Sequence, residues 1–307
     1  MASLSVKFCN ITFPNPLILP SGIAQEIPQD HNRAINAGAG GVVTKSLTVE
    51  PREGYKIPRV IRYEHGILNA VGIRNPGVEK GRALIKDFIK SSSIPVIISI
   101  FATNVKDFEI LVSQIAPFSP SIIELNLSCP HVSSEFGKPL SMGPESAAAS
   151  VKAAKGNAGK IPVIAKLTPN TPDIAKVAKA CEDAGADGIS AINTVGPGMV
   201  IDIKTKKPVL GNKRGGVSGP GIKPIAIRCV YDIYEAVKIP IIGMGGISSW
   251  QDAVEMMMAG ATLVGVGSAT YFKGMKLFGE IKEGLSEYMK KEKIKNLKEL
   301  VGVTHKN

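Results

Sequence analysis

The stretch Ser121-Ile122-Ile123-Glu124-Leu125 runs straight into Asn126-Leu127-Ser128-Cys129-Pro130-His131. A short apolar run of this kind reads as a strand buried on both faces. An amide, a thiol and a proline follow it, so the strand ends on groups that carry chemistry. The pattern recurs along the chain. Further β-branched runs lie at Leu17–Pro20, Gly41–Thr44, Val96–Ile100, Val163–Leu167, Gly188–Ile192, Ile241–Gly243 and Leu263–Val266. Helical stretches separate several of them. Ile174–Ala184 closes on Gly185 and Ser249–Ala259 closes on Gly260, glycines where helices commonly stop. Buried strands alternating with helices predict an α/β fold, a (β/α)8 TIM barrel. Ser5–Phe8 and Ile11–Phe13 flank Cys9-Asn10 and predict an N-terminal β-hairpin, which favours closure over an open doubly wound sheet. No low-complexity linker or composition break divides the chain, so 1–307 reads as a single domain.

Composition limits the function classes. Of 307 residues, 44% are hydrophobic and 21% charged, ordinary for a globular chain with a large core. Glycine is abundant at 32 residues and aromatics are scarce at 5%, which suits tight βα turns better than a β-sandwich. The net charge of +11 admits nucleic acid, an anionic ligand or an acidic partner. The basic residues are spread out except at 204–207, Lys213-Arg214 and the tail 290–295, which reads as a solvated helix face. No nucleic-acid motif interleaves with them, so no nucleic acid is expected. Four cysteines, Cys9, Cys129, Cys181 and Cys229, form no CxxC pair. No metal or cluster cage is therefore expected on this chain. Their sparse use suits a reducing compartment. With no signal-like start and no bilayer-length apolar run, the reading is cytoplasmic, without membrane attachment.

The strand ends carry the site. Ser21-Gly22, Lys45-Ser46, Asn104, Asn126 with Cys129, Lys166, Asn193-Thr194, Met244-Gly245-Gly246 and Gly267-Ser268 all follow or end apolar runs. In a barrel these converge on one mouth. Polar loops alone would account for Ser and Gly. They account poorly for Lys45 and Lys166, because an unpaired buried ammonium is costly and calls for an anionic ligand. Gly243-Met244-Gly245-Gly246 and Gly265-Val266-Gly267-Ser268 lie on the last two strands, a common phosphate position. Gly215-Gly216-Val217-Ser218-Gly219-Pro220 reads as a third glycine loop. Asn69, Asn126 and Asn193 offer donors and acceptors that suit a pyrimidine-like ring. Cys129 sits outside its strand and before a proline, a place for reactivity more than for packing. The other three cysteines read as ordinary core or surface residues.

Several of these segments together resemble the class 1 dihydroorotate dehydrogenases. They are Asn126-Leu127-Ser128-Cys129-Pro130, Asn69-Ala70-Val71-Gly72-Ile73-Arg74-Asn75-Pro76-Gly77, Thr44-Lys45-Ser46-Leu47-Thr48, Lys166-Leu167-Thr168-Pro169-Asn170 and Ile192 through Pro224. The resemblance spans nearly the whole chain and is nearest to type 1B, through Gly198-Met199-Val200-Ile201-Asp202 and Ile239 to Gly246. It implies FMN and the oxidation of dihydroorotate to orotate in pyrimidine biosynthesis. It implies FMN contacts at Ser21, Lys45, Ser46, Asn104, Asn126, Lys166, Ile192, Gly219, Gly245, Gly246, Gly267 and Ser268. It implies substrate contacts at Lys45, Asn69, Ala70, Val71, Gly72, Ile73, Asn126, Asn193 and Thr194, with Cys129 as catalytic base. For type 1B it further implies a partner subunit holding FAD and a 2Fe–2S cluster that passes electrons to NAD, and a homodimer within a heterotetramer. Two positions depart from the family pattern. His131 stands where an asparagine is usual and matches the related dihydropyrimidine dehydrogenases, so an FMN reductase of uracil or thymine is the alternative substrate reading. Tyr55 replaces the asparagine usual after Pro51-Arg52-Glu53-Gly54. A fumarate-linked type 1A enzyme is the alternative for the electron acceptor.

Overall fold

The computed structural model describes residues 3–24, 27–127 and 143–306. Eight parallel strands close a barrel: β3 Leu17–Leu19, β4 Gly41–Val43, β7 Val96–Ile100, β8 Ile122–Asn126, β9 Val163–Leu167, β10 Gly188–Ala191, β15 Ile241–Met244 and β16 Leu263–Gly265. Each coincides with one of the apolar runs, to within a residue at its ends. Their pairing follows chain order, and β16 returns to β3 to complete the ring. Helices α1 Gln29–Asn36, α2 Gly77–Ser91, α3 Val105–Ile115, α4 Pro144–Ala158, α5 Ile174–Asp183, α6 Lys223–Ala236, α7 Trp250–Met258, α8 Ala269–Lys273 and α9 Leu277–Lys291 accompany the strands. Helices α5 and α7 are capped as their sequences suggest. Asp173 and Ser249 accept backbone N–H groups at their starts, and Gly185 and Gly260 follow their ends at φ of +95° and +127°. Among the described residues no helix is long and apolar enough to cross a membrane.

The hairpin forms as expected, β1 Val6–Phe8 against β2 Ile11–Phe13, and it supplies the barrel's plug. Phe8 and Phe13 are buried, meet edge to face at 6.3 Å, and pack with Ile18, Val43, Ile97, Ile122, Ile164, Ile242 and Leu263. These are the inward residues of seven strands, so the hairpin and the barrel share one apolar layer. A Cβ on Gly41 would lie 2.7 Å from Phe13, and one on Gly188 would lie 2.9 Å from Phe8. The strand starts are therefore glycine where the two rings press in. A second and larger core fills the space between barrel and helices.

One layer of structure is absent from the strand pattern read in the sequence. β5 Val60–Tyr63, β6 Gly66–Asn69, β11 Val195–Gly198 and β14 Gly215–Ser218 form a four-stranded antiparallel sheet. The expected third glycine loop is thus corrected: Gly215–Ser218 is a strand, paired with β6 and β11. Glycine there answers a packing need. A Cβ on Gly215 would meet the Asn69 carbonyl at 2.5 Å, and one on Gly216 would meet Thr194 Oγ1 at 2.0 Å. A small exposed hairpin, β12 Ile201–Asp202 and β13 Lys207–Pro208, carries the first basic cluster, and the tail cluster lies on the end of α9 and the turn after it.

Because Phe13 is fully buried between hairpin and barrel, Phe13→Ala is expected to cost ~3–5 kcal/mol of stability. Urea unfolding of the purified variant measures this. A loss under 1 kcal/mol would show that the plug is not part of the cooperative core.

Candidate active site

The C-terminal ends of the barrel strands open into a cavity. Strand ends supply Ser21, Lys45, Ser46, Asn126, Lys166, Ile192, Asn193, Met244, Gly245, Gly246, Gly265, Gly267 and Ser268 to its wall. The antiparallel sheet and its loops supply Val60, Ile67, Asn69, Val71, Gly72, Ile73, Thr194 and Ser218. The cavity is therefore lined by two different kinds of structure.

Lys166 is the central feature of the barrel side. It lies near the end of β9, is only 4% exposed, and donates from Nζ to Ser21 Oγ at 3.3 Å. Among the described residues it makes no ion pair with a carboxylate. Beside it, Asn126 Nδ2 donates to Ser46 Oγ at 3.0 Å, and Ser46 Oγ lies 2.9 Å from Ser99 Oγ. Asn126 pairs in register with Lys166, so the amide and the ammonium stand side by side on the inner wall.

Lys45 follows β4 and is half-buried. Burial pushes its ammonium down to about 8, helped by the positive charges of Arg74 and Arg59. That cluster of cations, unlike an isolated surface lysine, favours an anion. Arg59 is fixed by the Glu53 carbonyl at 2.9 Å and by the Tyr55 carbonyl. The loop bearing Val71, Gly72 and Ile73 is held by Asn75. Its Oδ1 accepts from Thr48 N at 3.2 Å and Gly77 N at 2.8 Å, while its Nδ2 donates to the Ile73 carbonyl at 2.8 Å.

The remaining amides belong to backbone networks as well as to the cavity. Asn69 Nδ2 donates to the Gly216 carbonyl at 3.4 Å. Asn193 Oδ1 accepts from Thr194 N at 2.8 Å, and Asn170 braces the same turn through the Thr194 carbonyl at 3.1 Å and Gly196 N at 2.9 Å. At the far strand ends a Cβ on Gly245 or Gly246 would come within 2.6 Å of Ala226 or of Lys223 respectively. Bare backbone therefore faces the cavity there. Lys223 is held by Asp252 and Glu255, both at 2.8 Å, and Asp252 also accepts from Ser248 N at 2.9 Å, which ties the loop after β15 to α7.

Not every expected residue reaches the cavity wall. Asn104 caps α3, accepting from Asp107 N at 2.9 Å, and is exposed. Ala70 is buried with Leu68 and Leu210 behind the sheet, and Gly219 packs against Gly66. Cys129 and His131 lie outside the described residues. The sequence reading missed Val60, Ile67 and Tyr271 as lining residues, and Arg59 and Arg74 as charged neighbours of Lys45. Arg59 and Arg74 were visible as basic residues flanking Asn69 to Ile73, but only the sheet brings them to Lys45.

The dihydroorotate dehydrogenase family model matches residues 3–289. The catalytic subunit of dihydroorotate dehydrogenase B (NAD(+)) from Pyrococcus furiosus is 48% identical over 305 residues, covering 99% of both chains. The protein of the same name from Methanocaldococcus jannaschii is 42% identical over 305 residues, covering 98% of each chain. Among solved structures, DHODH from Eimeria tenella in complex with ferulenol superposes with a TM-score of 0.85 over 99% of this chain and 89% of that one, at 21% identity. At that identity the superposition speaks for the fold alone.

The Asp252 network makes a testable contribution. Burial alone would raise its carboxyl pKa, yet hydrogen bonds from Lys223, Ser248 and Ser249 hold it below the usual range. A depressed carboxyl stabilises the fold above its unfolded value of about 3.9 and loses that contribution as pH falls through the lowered folded value. Asp252→Asn is expected to cost about 2 kcal/mol at neutral pH and progressively less as pH falls below about 3.9, as measured by urea unfolding at a series of pH values.

Proposed function

The chain belongs to the dihydroorotate dehydrogenase family, and on that premise we propose that it oxidises dihydroorotate to orotate as the catalytic subunit of an NAD-linked enzyme of pyrimidine biosynthesis. One observation carries the reading: Lys45, Lys166, Asn69, Asn126 and Asn193 all line a single cavity at the barrel's strand ends. A flat ring with alternating carbonyl and N–H groups and a carboxylate is what such a set recognises.

The residues lining the cavity also suit FMN, because bare glycine backbone at 245–246 and 267 suits a phosphate. The buried Lys166 ammonium meets no carboxylate at ion-pair distance among the described residues, which leaves it ready for an anionic group. Ser21, Ser46, Asn126, Lys166, Ile192, Gly245, Gly246, Gly267 and Ser268 would hold the cofactor, with Lys45 between it and the substrate. Bound FMN supplies the hydride acceptor. Lys166 would hold its positive charge against the cofactor end of the cavity, where negative charge on the group would be stabilised. Lys45 holds the substrate carboxylate, and Asn69, Asn126, Asn193 and Thr194 orient the ring. Cys129 removes the proton from the carbon beside the substrate carbonyl, taking it on Sγ. An ordinary thiol titrates near 8.5, so a modest lowering makes it a usable base at neutral pH.

Electrons leave through a partner subunit carrying FAD and a 2Fe–2S cluster, and then reach NAD. The names of relatives at 41–48% identity support this route over fumarate. The working assembly is a homodimer of this chain joined to two such partners.

The purified protein is expected to be yellow, and dihydroorotate should bleach its flavin spectrum anaerobically where dihydrouracil does not. Bleaching by dihydrouracil alone would replace the proposed substrate. Cys129→Ser should still bind orotate but lose ~10²–10⁴-fold in turnover at neutral pH, and full activity would remove Cys129 from the mechanism. Lys45 is charged below about 8, so orotate affinity should weaken as pH rises through that value. Lys45→Met should bind weakly and lose this pH dependence, as read by fluorescence titration.

A further inference from the structure

The barrel interior holds a second ionisable group that none of the roles above employs. Along β8 the inward residues are Ile122, Glu124 and Asn126. Ile122 belongs to the apolar layer over the plug, and Asn126 reaches the cavity. Glu124 stands between them, 0% exposed, and neither of its carboxylate oxygens has a hydrogen-bond partner among the described residues. Two strands away, Ser190 is equally buried and its Oγ is also unpartnered. β9 lies between them. Its Lys166 pairs in register with Asn126 on one side and with Ser190 on the other, so Glu124 is the diagonal neighbour of Lys166 on the same inner face. Ser99, in register with Glu124, is engaged by Ser46.

This storey of the wall therefore contains a buried ammonium, a buried carboxyl and a buried hydroxyl. The ammonium can donate three hydrogen bonds, and Ser21 Oγ at 3.3 Å is the acceptor seen for it. Orphaned polar atoms of this kind, enclosed together, are where buried water is found. A buried ion is also costly unless a counter-charge and hydrogen bonds accompany it. A water joining the carboxyl to the ammonium satisfies both at once. Lys45 is the other cation on the cavity wall, but it stands on β4's loop, across β7 from Glu124.

We propose that Glu124 is ionised and serves, through buried water, as the counter-charge of Lys166, which makes it a positioning residue for the cofactor end of the site. The carboxylate sets a negative charge behind Lys166 in the closed interior. It thereby limits how strongly Lys166 favours the reduced cofactor.

The role in reduction rests on the FMN reading, whereas the state of Glu124 does not, so the test has two arms. In the first, infrared spectra of the cofactor-free full chain are compared with those of Glu124→Gln, Lys166→Gln and the double variant. The wild type should show no protonated-carboxyl band that Glu124→Gln removes. Lys166→Gln should gain such a band, and the double variant should lack it. A band in the wild type that Glu124→Gln removes, or none gained in Lys166→Gln, overturns the proposal. In the second arm the flavin midpoint potential is measured. Glu124→Gln should shift the equilibrium toward the reduced form about tenfold, about 30 mV for a two-electron couple, and Glu124→Asp should stay near the wild type. A potential unmoved by Glu124→Gln overturns the positioning role. A wild-type protein that takes up no FMN would defeat the functional reading, and the infrared arm would still decide the charge pair.

Discussion

A lysine ammonium enclosed in a barrel wall constrains everything built around it. Lys166 is held at 4% exposure by the same register that makes β9 a continuous buried strand. Its inward direction follows from Ile164, two residues earlier, whose side chain lies in the layer over the plug. The hairpin thus has a consequence at the far end of the barrel. By filling the lower interior with Phe8 and Phe13, it leaves the upper interior as the place where polar side chains must gather. Asn126, Ser46 and Ser99 are joined at that level by hydrogen bonds of 2.9–3.0 Å, and Ser21 accepts from Lys166 at 3.3 Å.

The barrel was legible in the sequence because strands covered on both faces need apolar residues at every position. Val163–Leu167 shows why the reading works and where it is most informative. Four apolar residues flank one lysine, and the exception marks the site. The antiparallel sheet was not legible for the opposite reason. Val60–Tyr63 alternates between exposed and half-buried, Val195–Gly198 contains Pro197, and Gly215–Ser218 begins with two glycines. Val60–Tyr63 is too short and exposed to read as a buried strand, the other two have low strand propensity, and what holds them is tertiary: pairing of β5 and β14 with Gly66–Asn69, pairing of β11 with β14, and close approach to Thr194. Residues such as Arg59 and Arg74 become neighbours of Lys45 only through that sheet, so no spacing in the chain could have announced them. Ala70, Asn104 and Gly219 show the converse, positions in matching motifs that are not among the residues lining the cavity.

These two kinds of wall divide the work of the site. The barrel side is built from strand ends whose side chains are locked by the ring's register, which suits a cofactor that must hold one position through many turnovers. The sheet side, with the loop braced by Asn75, carries most of the residues proposed for the substrate: Asn69, Val71, Gly72, Ile73 and Thr194. Loops and small sheets can change in length and sequence without disturbing barrel closure. A change in the accepted ring substituent therefore calls for changes at the sheet or at Lys45 and its cationic neighbours, and it leaves Lys166 and the glycine strand ends as they are.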